Sequence, residues 1–310
     1  MQELKLKNVI IVLVEQRIQV RSGLRGALND AGLLNTNIID GPDLNTVFAA
    51  MQRPNPPDVV ICDAASPGGD VIEAFHAIRH NKIGTNPFVA IIAVSWEPTA
   101  ATVDRVANSG ADFILAAPFS PQLLLDRITL LVYNPVPYVV TSEYVGPDRR
   151  YKYREQSKIP LVQVPNSLRD KATGNYNAKK FRAQIFTTMS DINEQKMERH
   201  AMALATHSEV LVQQFETGRN AVDLNRLEKL EIAATDLQQR SRKAGLQHIA
   251  KLCDALLNVI NKIFEGDKKT PVKEFELMQQ LALAIRKSFA VNHREVGLLH
   301  DVAQTVSSRG

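Results

Sequence analysis

The stretch VVICDAASPGGD, residues 59–70, decides the fold. A run of apolar β-forming residues ends in a single carboxylate, Asp63, and a Pro-Gly-Gly loop follows at once. Such a run between turn signals reads as a buried strand. In an open α/β sheet, ligands and chemistry collect at the carboxyl ends of the strands. A carboxylate there is costly unless it is paired, bound to a metal or open to water.

Outward from Asp63, strand and helix signals alternate. Expected strands are 8–15, 35–40, 57–63, 87–95 and 111–117; expected helices are 17–32, 44–53, 70–80, 99–110 and 120–132. Within the first helix Val20, Leu24, Ala27, Leu28 and Ala31 fall at helical spacing. Ser120 followed by Pro121 starts the last one with a cap and a first-turn proline. Five β-α pairs with continuous apolar strands predict a doubly wound parallel sheet covered on both faces, a flavodoxin-like (βα)5 domain over 1–133.

The next stretch, 134–185, loses this rhythm and is punctuated by prolines at 135, 137, 147, 160 and 165. It reads as a basic linker, with a short strand at IPLVQVP, 159–165. Between Asn134 and Arg182 ten Lys or Arg face four acids, although the whole chain is only +4. All six tyrosines lie in or beside this segment. Interleaved Arg, Lys and Tyr in EYVGPDRRYKYREQSK, 143–158, can contact phosphates, anionic lipid or an acidic protein face. No DNA-reading helix-turn-helix follows, so nucleic acid is not the expected partner. From 186 to 310 the pattern is helical, with helices expected at 191–217, 222–243, 246–265, 272–288 and 291–306, an all-α bundle with short connections.

Composition excludes several classes. Apolar residues make up 45 % of 310, enough for packed cores. No apolar run is long enough to span a membrane. The opening apolar run is broken at Glu15 and has no small-residue cleavage site, so a cytoplasmic protein is expected. Cys62 and Cys253 are far apart and read as buried free thiols. Neither sits at zinc-ligand spacing. There is no phosphate-cradling glycine loop and no nucleophile elbow, so an enzyme is not expected.

The strand ends deliver Glu15-Gln16, Asp63, Ser95 and Ala117-Pro118-Phe119 to one crevice. With these residues assembled, 8–133 resembles a response-regulator receiver domain, the phosphoacceptor module of two-component signalling. CDAASPGGD resembles the phosphoacceptor loop, with Asp63 as phosphoacceptor and Pro67 at its usual offset. VLVEQRIQVR resembles the first-strand motif whose two acids hold Mg²⁺. AVSWEP places Ser95 as the phosphate-contacting switch residue, and AAPFSP resembles the Lys-Pro-Phe motif. The departures are at Gln16, neutral where an acid is expected, and Ala117, where a lysine is expected; the switch aromatic is replaced by Ile114, beside Phe113. Phosphoryl transfer depends on positioning and on neutralising oxygen charge, and both losses weaken that. The resemblance therefore implies at most weak Mg²⁺ binding, by Glu15 and Asp63. Two readings of Asp63 stay open: a phosphorylatable aspartate with altered metal binding, or a retained acid in a pseudo-receiver.

A second resemblance lies in AATDLQQRSRKAGLQHIAKLCDALLNVI, 233–260. Leu237, Gly245 and IAKLC (249–253) match a histidine phosphotransfer bundle, but Thr235 stands at the histidine position and Gln238-Gln239 follow. The alternative is an ordinary bundle with a Leu and Ala core stripe. His200 and His207 share a helix face, and ATHSEVL resembles the histidine box of sensor kinases, but no ATP-binding glycine boxes follow. Together the resemblances imply a signalling protein acting through contacts with a histidine kinase, a phosphotransfer protein or a downstream regulator, with a homodimer through the bundle as a further expectation. The competing reading is a phosphorylation-independent scaffold or decoy.

Overall fold

The computed structural model describes residues 5–149, 160–217, 223–265 and 273–289. The chain divides into two compact units, Met1–Ile192 and Asn193–Gly310.

The first unit is built on five parallel strands, β1 (Ile11–Val14), β2 (Ile38–Gly41), β3 (Val59–Asp63), β4 (Ala90–Ser95) and β5 (Phe113–Ala116), in the order β2-β1-β3-β4-β5. The three inner strands, β1, β3 and β4, are buried along their whole length, as continuous apolar runs require. Helices α1 (Ile18–Asp30), α2 (Asn45–Met51), α3 (Val71–Arg79), α4 (Ala100–Asn108) and α5 (Pro121–Tyr133) cover the two faces. Ile11, Leu13, Val59, Ile61, Ile92 and Val94 pack with Leu24 and Leu28 of α1 and Leu124 and Ile128 of α5. Val12, Val14, Val60, Cys62, Ile91 and Ala93 face the other way, against α2, α3 and α4. Strand alternation thus divides one sheet between two cores. The strand order reverses between β1 and β3, so the crevice at their carboxyl ends is the switch point. The flavodoxin-like expectation holds. The expected strands 8–15 and 35–40 begin later, because 6–8 and 35–37 are single 3₁₀ turns.

The 134–185 stretch, read as a linker, is folded over its described residues. Strands β6 (Tyr138–Val140), β7 (Val145–Pro147) and β8 (Leu161–Val162) form an antiparallel sheet, and α6 (Ser167–Ala172) follows. Composition pointed to a linker, but a few buried anchors hold the segment on the first unit. Arg79 is fully buried; it donates to the carbonyls of Gly110, Pro87 and Val89 at 2.7–2.9 Å and to Asp112 at 2.8 Å. Tyr138 Oη reaches the same carboxylate at 3.3 Å, and the Arg79 guanidinium lies over its ring. On α6, Lys171 Nζ donates to buried Asp58 at 2.7 Å. Gly110 at φ +90° is needed where α4 turns into β5, since a Cβ there would meet the Val145 carbonyl at 2.7 Å.

The division between units falls within the long helix α7 (Ala178–Glu216), which starts well before the expected 191. In the second unit, residues of α7 from Met197 on, α8 (Leu224–Lys243), α9 (Gln247–Glu265) and the helix over 273–289, α10, share one apolar core. Gly245 at φ +76° closes the turn between α8 and α9. His200 meets Asp236 and His207 meets Arg226, so α7 and α8 run antiparallel. The region is all-helical as expected; the expected helix at 291–306 lies outside the described residues.

Candidate functional site

The crevice is assembled by four strand ends. Glu15 follows β1, Asp63 ends β3, Ser95 ends β4, and Ala117 follows β5 with a cis bond to Pro118. Glu15, Asp63 and Ser95 are all buried, Ala117 is partly buried, and Gln16 points to solvent. The predicted residues therefore do converge. Asp63 Oδ1 accepts from the Ala65 amide at 3.0 Å, and Gly68 and Gly69, both at positive φ, turn the loop away toward α3. Asp70 then caps α3 by accepting from the Ile72 and Glu73 amides. Ser95 shares its strand end with Ala117, whose amide donates to the Ser95 carbonyl at 2.8 Å. Ile114 packs on the α2-α3-α4 face and Phe113 on the opposite face, under Arg127, so Phe113 does not replace the missing aromatic.

Two residues that sequence reasoning passed over dominate the crevice. Arg17, the N-cap of α1, places one guanidinium nitrogen 3.1 Å from Glu15 Oε1 and 3.6 Å from Asp63 Oδ2. Its own backbone amide also donates to Glu15 Oε1 at 2.9 Å. Trp96, the one tryptophan of the chain, donates its indole N–H to Glu15 Oε2 at 3.0 Å. The Arg17 guanidinium lies over the Trp96 ring, 4.0 Å from its centroid, a cation–π geometry. The signals for both were present: an arginine two residues after the β1 acid, and a lone tryptophan directly after the β4 serine.

The electrostatics follow from this packing. Burial pushes the Asp63 carboxyl above its ordinary range, and the nearby Glu15 adds to the rise; the Ala65 amide and Arg17 oppose it. Burial likewise drives the Cys62 thiol to about 12, so it is inert behind the site.

A divalent cation does not fit this donor set. Magnesium demands close octahedral oxygen ligands. Three of the roughly four lone-pair sites of Glu15 are taken by N–H donors. Gln16 contributes no charge, and among the described residues no three His, Cys, Asp or Glu side chains stand together as a metal group. Arg17 thus stands at the position where Glu15 and Asp63 are expected to hold Mg²⁺.

In the second unit Thr235 is half-buried on α8 beside Asp236. Asp236 sits 2.7 Å from His200 Nε2 and 2.6 Å from Arg240 Nε, which hold its carboxyl well below the usual range against the cost of burial. Gln238 donates to Asp254 on α9. These pairs tie helices together, and none opens Thr235 as a reactive centre.

No family model matches the chain, and no curated protein does. Among solved structures it is similar to the chemotaxis response regulator CheY4 of Vibrio cholerae, at 23 % identity and TM-score 0.34 over 39 % of this chain and 96 % of that one. It is similar to the response regulator DrrB of Thermotoga maritima, at 18 % identity and TM-score 0.34 over 40 % of this chain and 52 % of that one. It is also similar to the receiver domain of a Pseudomonas aeruginosa sensor histidine kinase, solved with magnesium in its active-site cleft, at 23 % identity and TM-score 0.34 over 39 % of this chain and 94 % of that one.

Proposed function

We propose that this chain is a two-component signalling protein whose first unit is a pseudo-receiver, acting by protein–protein contact and not by a metal-driven phosphorylation cycle. The observation that carries the reading is the Arg17 guanidinium lying between Glu15 and Asp63. Ala117 supports it, because a phosphoryl group on Asp63 would lack a fixed cation at that strand end to offset its oxygens. Gln16 supports it by removing one carboxylate from the cluster. On this reading the protein is a cytoplasmic regulator and not an enzyme, and its partners are signalling proteins. Among the described residues no helix is long and apolar enough to cross a membrane. The helical unit then serves as a contact or dimerisation element.

Phosphorylation at Asp63 is the second reading. It is favoured by Asp63 Oδ2, for which the described residues supply an ion pair to Arg17 at 3.6 Å, while the Ala65 amide bonds the other oxygen. Intact-mass measurement after incubation with Mg²⁺ and a small-molecule phosphodonor, beside Asp63→Ala, separates the two. The pseudo-receiver reading expects no labile adduct specific to the wild type. An adduct on the wild type alone overturns it.

A further inference from the structure

We infer that Arg17 is the resident cation of the Asp63 crevice, a tethered guanidinium that fills the charge role of a divalent ion and bars one from entering. The inference rests on the reading of this crevice as receiver-like and says how its acids are held without metal.

Four features support it. The guanidinium reaches both acids from one nitrogen, so it occupies the space between them. It is held from behind by the Trp96 ring, and the same indole fixes the second oxygen of Glu15. The backbone cannot retreat easily, because the Arg17 amide itself donates to Glu15 and α1 begins at the next residue. A second arginine follows one turn on. Arg21 donates to the Glu15 carbonyl at 2.6 Å and pairs with Asp40 at 3.3 Å, which fixes the backbone that carries Glu15. An arriving divalent ion would have to displace a stacked guanidinium, break a backbone hydrogen bond and work against like charge. A monovalent planar cation that spreads its charge over several donors suits two carboxylates that are already partly satisfied.

The test uses the full-length chain. Mn²⁺ binding is counted by electron paramagnetic resonance, and Trp96 emission is followed during Mg²⁺ titration. Gln16→Asp restores the acid that sequence comparison expects while leaving Arg17 in place. Gln16→Asp with Arg17→Ala removes the guanidinium as well. Circular dichroism checks that each variant is folded. We expect the wild type and Gln16→Asp to stay unresponsive to millimolar Mg²⁺, and the double variant to bind Mn²⁺ about tenfold more tightly or better, a ratio that one lost charge at contact distance readily supplies. Equal binding by Gln16→Asp and the double variant overturns the inference, since Arg17 would then exclude nothing. Failure of all three to bind also overturns it, since something other than Arg17 would be keeping metal out. Neither result depends on phosphorylation. An adduct on wild-type Asp63 with Mn²⁺ still excluded would sink the pseudo-receiver reading and leave this one standing.

Discussion

Lys171→Met separates a folded extension from a linker. Lys171 Nζ is 2.7 Å from Asp58 Oδ2, with side-chain exposures of 10 % and 1 %. The same oxygen accepts from the Ile10 amide at 2.7 Å, at the entry to β1. Methionine keeps the apolar stem and removes the charge. Breaking a buried pair and leaving one charge uncompensated costs about 3–5 kcal/mol. Protonation of Asp58 limits that cost. From an ordinary carboxyl value of 3.8, holding the proton at pH 7 costs about 4 kcal/mol, and the wild type already bears part of that through its raised Asp58 pKa, so the penalty is capped below that figure. Burial already sets the folded Asp58 pKa above its unfolded value, and loss of Lys171 raises it further. A carboxyl with a raised folded pKa binds its proton more tightly when folded. The penalty is therefore absent below the wild-type folded Asp58 pKa, grows by about 1.4 kcal/mol per pH unit above it, and levels off past the higher folded pKa of the variant. Urea unfolding followed by Trp96 emission reports the first unit alone, because that is the chain's one tryptophan. At pH 7 the midpoint should fall by roughly 1.5 M, and at pH 5 by less than half as much. A midpoint unchanged at pH 7, or a loss that is the same at both pH values, would refute the account of α6 as anchored to the β1 entry.

Three further outcomes follow from the packing. Asp63→Asn should raise the urea midpoint at pH 7 and lose this advantage as pH falls through the elevated Asp63 pKa, because the ionised acid is the form that burial disfavours; an equal gain at all pH values would contradict it. Asp236→Asn should destabilise the helical unit by about 1–3 kcal/mol at neutral pH, since His200 and Arg240 both lose their anion. With a folded Asp236 pKa below the unfolded 3.8, that contribution is present above 3.8 and lost in more acid solution, which far-ultraviolet circular dichroism against pH would follow. Both thiols should be silent to an aromatic disulfide reagent at pH 8 in the native protein and react after unfolding, since burial holds Cys62 and Cys253 near 12.

The sheet was legible because its signal is redundant. Each inner strand is an apolar run, each helix shows its period, and Asp70, Thr99 and Ser120 cap where caps belong. The convergence of Glu15, Asp63 and Ser95 followed from strand polarity alone. The described residues of 134–185 were misread because their order comes from long-range anchors, Tyr138 to Asp112 and Lys171 to Asp58, that leave no local periodicity. Arg17 was passed over for a related reason. Its role depends on reaching from the cap of α1 across to the end of β3, 46 positions later in the chain, and on a tryptophan arriving from β4. An arginine beside an acid pair looks from sequence like solvated surface, and half of its side chain is indeed exposed.

The central claim is that the cation of the Asp63 crevice is already supplied from within, by Arg17. Fluorine NMR of the full-length protein with beryllofluoride, with and without Mg²⁺, tests it most directly, since this mimic of a phosphoryl group binds where a carboxylate and a metal cooperate. The account predicts no bound fluorine resonance in the wild type under either condition. A bound resonance that requires Mg²⁺ and disappears in Asp63→Ala would contradict it and make Asp63 a working phosphoacceptor.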